Sequence, residues 1–273
     1  MLLEIKHVSR QFDLGKGKTL KAVDDFSLDL PEGENTGLVG ESGCGKSTIA
    51  RMITGLTPLS EGEIFFQGKR ISGLTGRKQR EVYRHIQMVF QDPYSAISPR
   101  MPIGIFLTEG LVYFRIMSRK QAAQEVPKLL QMVDLDPALA ERLPHQLSGG
   151  QLQRVVIARA VSIHPRLVIL DEATSALDVS VQKQVLELLV RLQKEFNLTY
   201  LFIGHDLAVV RSITRQICVM RDGRVVEILP SEGLSQLARH PYTRQLLASV
   251  FSMKKAQDFP KGTACASKVN DIQ

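Results

Sequence analysis

The chain of 273 residues has no tryptophan, three cysteines and 6% aromatic residues. It has no apolar run approaching the roughly 20 residues that cross a bilayer, so a transmembrane helix is not expected. Cys44, Cys218 and Cys265 are scattered without a C-x-x-C spacing, which indicates neither a disulfide framework nor a zinc site. The segment Met1-Leu2-Leu3-Glu4-Ile5-Lys6 has no basic leader, and an acid interrupts its apolar stretch. It does not read as a signal peptide, and a cytoplasmic location is expected. The net charge is +7, which permits an anionic partner. Its basic residues are spread out, however, as in Arg77-Lys78-Gln79-Arg80 and Lys254-Lys255. There is no long basic block and no aromatic ladder for base stacking, so nucleic acid is not the expected partner. A solvated surface is the default reading, with proximity to anionic lipid as the functional alternative. No internal repeat is visible.

What is present is ordinary in bulk and specific in detail. The length suits one large domain, or a core with a subdomain. Hydrophobic content of 44% and charged content of 23% are those of a globular chain. Within it, Gly40-Glu41-Ser42-Gly43-Cys44-Gly45-Lys46-Ser47-Thr48 fits G-x-x-x-x-G-K-[ST], the phosphate-binding loop. An apolar run, Thr36-Gly37-Leu38-Val39, precedes it and a helical pattern, Thr48 to Ile53, follows. In that context glycines let backbone N–H groups converge on an anion, and the helix adds the positive end of its dipole. Lys46 is placed to reach the β- and γ-phosphates, and the Ser47 hydroxyl to ligate Mg²⁺. The plainer reading is a glycine-rich turn before a helix. Cys44 inside the loop is open to oxidation or alkylation, but reads chiefly as a small side chain.

Along the chain, residues 2–9 and 24–30 read as strands with a turn at Asp13 to Lys18, and residues 62–66 and 86–90 as two more. Residues 94–160 are rich in helical spacing. Strands at 167–170 and 199–203 flank a helix at 181–196. Two strands surround the turn Asp222-Gly223, and two helices are expected at roughly 231–238 and 242–250. The remainder is polar and aperiodic, and is expected to be mobile. Strands alternating with helices imply an α/β fold with a mostly parallel sheet.

Two further elements carry chemistry. Leu167-Val168-Ile169-Leu170 delivers Asp171 and Glu172 to the C-terminal end of a strand, where open α/β sheets place ligands. Asp171 is the expected Mg²⁺ partner and Glu172 the expected general base. Two acids after a strand are also common at plain helix starts. Leu147-Ser148-Gly149-Gly150-Gln151 stands before a helix, with Ser148 suited to the N-cap and two glycines exposing backbone N–H groups. One nucleotide needs one phosphate loop, so this second anion site is expected to serve the γ-phosphate held by another subunit.

At this point the chain resembles the ATP-binding subunits of ABC transporters, over essentially residues 1–250. Gly40 to Thr48 matches Walker A, Gln91 the Q-loop glutamine, Leu147 to Gln151 the signature, and Leu167 to Glu172 Walker B. Ser175-Ala176-Leu177-Asp178 matches the D-loop, His205 the switch histidine, and Phe12 the aromatic that stacks on adenine. A core aromatic is the plainer reading of Phe12. The resemblance implies a P-loop NTPase, RecA-like core (residues 1–91 and 161–250) with an antiparallel β subdomain, a helical signature subdomain at 92–160, and a tail at 251–273. It implies ATP and Mg²⁺ as cofactors, with Gln91 on the metal beside Ser47 and Asp171. It also implies a head-to-tail dimer with a paralogue or a second copy, in which Asp178 links the two sites. The other implied partners are two integral membrane permeases and an extracytoplasmic substrate-binding protein, with this subunit on the cytoplasmic face of the membrane.

Within the family the resemblance is to the oligopeptide, dipeptide and nickel importer branch. It rests on Val89-Phe90-Gln91-Asp92-Pro93, Ser95-Ala96-Ile97-Ser98-Pro99-Arg100 and His240-Pro241-Tyr242-Thr243-Arg244-Gln245-Leu246-Leu247. Ala173 stands where most members carry proline and, with Gln151-Leu152-Gln153-Arg154, resembles the second ATPase of nickel or related metallophore importers; past residue 218 only Cys265 stands where peptide-importing members carry a cysteine-rich segment. Those features imply nickel or a metal chelate as cargo, with peptide import and a non-transport ABC ATPase as the alternatives. Gly204 departs from the Ser or Thr usual before the switch histidine, which puts the orientation of His205 in question.

Overall fold

The structure is a computed structural model that describes residues 1–248. The expectations about the polar tail and about Cys265 fall outside the described residues.

An antiparallel sheet comes first. It contains β1 (Leu3–Asp13), β2 (Thr19–Leu30), β4 (Glu61–Phe66) and the two-residue β5 (Lys69–Arg70), ordered β2-β1-β4-β5. Burial in β1 runs Leu3, Ile5 and then Val8, so the two-residue alternation slips by one. A bulge takes up the slip. His7 and Asp25 adopt positive φ values of 50° and 53°, the register shifts between Ile5 and Val8, and the two side chains meet at 2.7 Å. Both strands run further than the apolar pattern predicts, because their outer ends pair as a hairpin around Asp13–Lys18.

The second sheet has six strands: β3 (Thr36–Val39), β6 (Ile86–Val89), β7 (Leu167–Asp171), β8 (Thr199–Gly204), β9 (Gln216–Arg221) and β10 (Arg224–Pro230). The order is β10-β9-β3-β8-β7-β6, and every pairing is parallel except β9 with β10. Every residue of β3, β6, β7 and β8 is buried, as their unbroken apolar runs require of strands covered on both faces. Alternate residues serve two cores. Leu167, Ile169, Leu201 and Ile203 face the antiparallel sheet and α1 (Lys46–Ile53), whose Ile49 and Ile53 are buried with them. Val168, Leu170, Tyr200 and Phe202 face the helices on the other side.

The remaining helices are α2 (Gly76–Tyr83), α3 (Ile103–Tyr113), α4 (Arg119–Met132), α5 (Gly149–Val161), α6 (Val179–Phe196), α7 (Leu207–Ile213) and the single turn α8 (Leu234–Leu237). A last helix occupies residues 241–248. Helices α3, α4 and α5 pack together through Phe106, Leu107, Val126, Leu130, Leu152 and Val155. Sequence periodicity misses α2 because none of its residues is buried, so no apolar stripe marks it. It overstates α8, where the helix lasts one turn. Among the described residues no helix is long and apolar enough to cross a membrane.

Candidate active site

The parallel strands end side by side, and their C-terminal ends carry the motifs. Between β3 and α1 the loop turns on Gly43 and Gly45, with φ of 81° and 107°, values that favour glycine. Gly40 is required for a different reason: a Cβ there would lie 2.1 Å from the Met220 carbonyl oxygen. Lys46, the first residue of α1, is 4% exposed. Its ammonium donates to the carbonyls of Gly40 and Glu41, both at 2.8 Å, and neither partner is charged. A buried cation held by neutral carbonyls beside a helix N-terminus is an environment that favours an anion. The Cys44 thiol is buried and its pKa is raised by that burial, so it is a small packed side chain and not a reactive thiolate.

The Ser47 hydroxyl donates to Asp171 Oδ1 at 3.0 Å, bringing together one residue from α1 and one from the end of β7. Asp171 is 7% exposed. Burial raises its pKa, and the Ser47 hydrogen bond only partly opposes this. A nearby cation would offset that desolvation. Two hard oxygens suit Mg²⁺, which takes one or two protein ligands and completes its shell with water and phosphate.

Glu172 follows Asp171 with φ of 49°, its amide bonded to the Ile203 carbonyl at 2.9 Å. That turn aims its carboxylate across the strand ends. Glu172 Oε2 accepts from Gln91 Nε2 at 3.1 Å and lies 3.5 Å from His205 Nδ1. Three residues distant in sequence thus share one carboxylate oxygen. A cavity of ≈ 160 Å³ opens beside it, lined by Glu172, Ser175, Gln182, Gly204 and His205 among others.

The absent hydroxyl at Gly204 has a steric explanation. A Cβ there would lie 2.9 Å from Val210 Cγ2, and one at Gly37 would lie 2.3 Å from Val210 Cγ1. Val210, on α7, therefore occupies the side-chain space of two strand glycines. We expect Gly204→Ser to cost about 1–3 kcal/mol through overpacking. Adding Val210→Ala should recover part of that loss, so that denaturant unfolding of the double variant is better than the sum of the singles. Strict additivity would remove Val210 as the obstacle.

Leu147–Gln151 lies at the start of α5. Ser148 Oγ accepts from the Gln151 amide at 3.3 Å, and Gln151 Oε1 accepts from the Ser148 amide at 3.0 Å, a capping box. Leu147 is buried. Gly149 faces open space, whereas a Cβ at Gly150 would lie 2.4 Å from Val181 Cγ1. Among the described residues, no hydrogen bond or ion pair joins Leu147–Gln151 to Gly40–Thr48 of the same chain. Asp178 caps α6, accepting from the amides of Ser180 and Val181 and from the Ser180 hydroxyl. Those bonds, Val181's first, hold its carboxyl below the usual range. Phe12 is half-buried at the end of β1 and not a core residue, with the Arg10 guanidinium 4.6 Å from its ring centre. One contact escaped sequence reasoning altogether: the Tyr242 hydroxyl accepts the Glu41 amide of the phosphate loop at 3.0 Å.

Comparison with known proteins bears on the family and the fold. Residues 23–175 match the family model described as ABC transporter. The oligopeptide transport ATP-binding protein OppF of Bacillus subtilis is 47% identical over 91% of this chain and 82% of its own length. OppF of Salmonella typhimurium is 45% identical over 92% and 78%. The glutathione import ATP-binding protein GsiA of Pectobacterium atrosepticum is 43% identical over 91% of this chain, which spans 41% of that longer relative. Among solved structures, the dimeric ATP-binding cassette MJ0796 bound to ADP and Pi superposes with a TM-score of 0.77 at 29% identity, covering 85% of this chain and 99% of the other. The nickel expectation finds no support in these relatives, whose names give oligopeptide and glutathione import. One of the residues behind it, Ala173, is 2% exposed and packed in the helical-side core. It is a packing position and carries no cargo chemistry. With a family model over more than half its length and close relatives over nine-tenths of it, the chain belongs to the ABC transporter family and is an ATP-hydrolysing cassette.

Proposed function

We propose that this chain is the ATPase subunit of an importer for short peptides, on the cytoplasmic face of the membrane. The observation that carries the ATPase part is the convergence of Gln91 and His205 on Glu172 beside the Ser47–Asp171 pair. Phe12 stacks on adenine. The amides of Gly43 to Thr48 and the Lys46 ammonium hold the phosphates. Ser47 and Asp171, with Gln91 beside them, would hold Mg²⁺, which would neutralise charge on the phosphate oxygens. Glu172 accepts a proton from water as the water oxygen bonds to the γ-phosphorus. The bond to the β–γ bridging oxygen breaks, releasing ADP and phosphate. His205 orients the water against the γ-phosphate.

Gly149 is exposed at the start of α5, and among the described residues Leu147–Gln151 makes no hydrogen bond to Gly40–Thr48 of its own chain. That supports a head-to-tail pair in which Leu147–Gln151 of one subunit meets the γ-phosphate held by the other, with Asp178 lying between the two sites. A related cassette is solved as a dimer. The second subunit is a paralogue or another copy, and the pair works with two membrane permeases and an extracytoplasmic binding protein. ATP closes the pair; losing the γ-phosphate contact opens it.

Peptide cargo is favoured by the relatives' names. Glutathione, itself a small peptide, lies within the same class. Deleting the gene should abolish growth on di- and oligopeptides as sole amino-acid source and leave nickel uptake intact. Normal peptide growth with lost metal uptake would overturn the cargo and leave the ATPase reading standing.

A further inference from the structure

The helix over residues 241–248 starts beside β10, at the edge of the six-stranded sheet. Glu227, on β10, accepts hydrogen bonds from the amides of Arg239 at 2.9 Å and His240 at 3.3 Å. His240 Nδ1 in turn accepts the Tyr242 amide at 3.2 Å. Together these bonds satisfy backbone donors where the helix starts and aim Tyr242 inward. The Tyr242 ring is 2% exposed within the helical-side core. The Arg221 guanidinium lies 5.0 Å from the ring centre. The ring's hydroxyl reaches the Glu41 amide.

Glu41 is held at both ends of its backbone. Its amide donates to Tyr242, and its carbonyl accepts from Lys46 Nζ. The loop around it contains Gly43 and Gly45 at positive φ, so by itself it has many conformations within reach. Contacts from elsewhere in the fold hold mainly its later part, where Ser47 bonds Asp171 and the Ala22 carbonyl lies against Gly45. The Gly223 amide donates to the Cys44 carbonyl at 3.1 Å, and the Met220 carbonyl fills the space beside Gly40. Among the described residues, Tyr242 is the side chain that hydrogen-bonds the loop's leading half from outside it.

We propose that Tyr242 is a positioning residue for ATP binding: its hydroxyl holds Glu41, Glu41 holds Lys46, and the C-terminal helix clipped by Glu227 is a brace for the phosphate loop. This rests on Gly40–Thr48 being the ATP-binding loop. A loop ordered before the nucleotide arrives loses less freedom on binding. Without the hydroxyl, the Glu41 amide faces a buried phenyl ring and has lost its acceptor.

The test is ATP affinity of the purified full chain by calorimetry, with steady-state ATPase kinetics and thermal unfolding beside it. Tyr242→Phe keeps the ring and removes the hydroxyl. The Kd for ATP should rise about tenfold, and KM should rise more than kcat falls. Glu227→Gln keeps the phenol and slackens the helix that carries it, and should shift Kd the same way by a smaller factor. It decides the matter alone if Tyr242→Phe fails to fold. A lowered melting temperature with unchanged Kd in the folded variants would make Tyr242 a core side chain only and overturn the brace. A wild-type chain that binds no ATP would instead overturn the ATP-site reading on which the brace depends.

Discussion

Replacing Glu172 with glutamine should slow ATP hydrolysis by about 10²–10⁴-fold, the range ascribed to a positioned general base, and leave ATP binding near wild type. The substitution is nearly isosteric. Its amide oxygen can still accept from Gln91 Nε2, which lies 3.1 Å from Glu172 Oε2 in the wild type. The position of the side chain is therefore retained, and what is lost is the negative charge and the capacity to take a proton from water. Asp171, the residue paired with Ser47, is untouched. An interaction lost only in the transition state lowers kcat and spares ground-state binding. The ATP-bound pair of subunits should consequently accumulate, visible as a dimer on size-exclusion chromatography in ATP and not in ADP. Turnover within a few-fold of wild type would remove Glu172 from the base role and shift attention to His205, which lines the same cavity and lies 3.5 Å from Glu172.

Lys46→Ala should weaken ATP binding by about 100-fold or more. The ammonium is buried, donates to two loop carbonyls, and sits at the start of α1. Charge-assisted hydrogen bonds are worth about 1.5–3 kcal/mol each, and about 2.8 kcal/mol corresponds to 100-fold in Kd. The truncation also leaves the Gly40 and Glu41 carbonyls without their internal donor, so the loop loses order as well as charge. Isothermal titration with Mg-ATP reads the first effect and thermal unfolding without nucleotide reads the second. A Kd within a few-fold of wild type would mean that the glycine-rich loop is only a turn before a helix.

Some of this was open to inspection in the residues alone. The parallel strands are runs such as Leu167–Leu170 and Thr199–Ile203, buried on both faces and so apolar without interruption. The phosphate loop and the signature are local constellations whose chemistry depends on neighbours in sequence, and the capping box at Ser148 and Gln151 is of the same kind. Other features left no local trace. The bulge that lets Leu3, Ile5 and Val8 face one core appears in sequence only as a broken alternation. Helix α2 buries none of its residues and so shows no stripe. Ala173 and Gly204 invited functional readings, whereas the space around them explains both: one sits in a packed core, and the other borders the methyl groups of Val210.

The sequence by itself determined the fold class and the chemical groups available, because hydrophobic periodicity and the spacing of glycines, Lys46, Ser47, Asp171 and Glu172 act over a few residues. Only the tertiary structure decided which groups meet. Gln91, Glu172 and His205 converge because β6, β7 and β8 are adjacent in a parallel sheet and end at the same edge. Tyr242 reaches Glu41 across 201 positions because Glu227 starts the last helix beside the phosphate loop. Such contacts depend on strand order and helix docking, which arise from packing summed over the whole chain and leave no signature in any short segment of it.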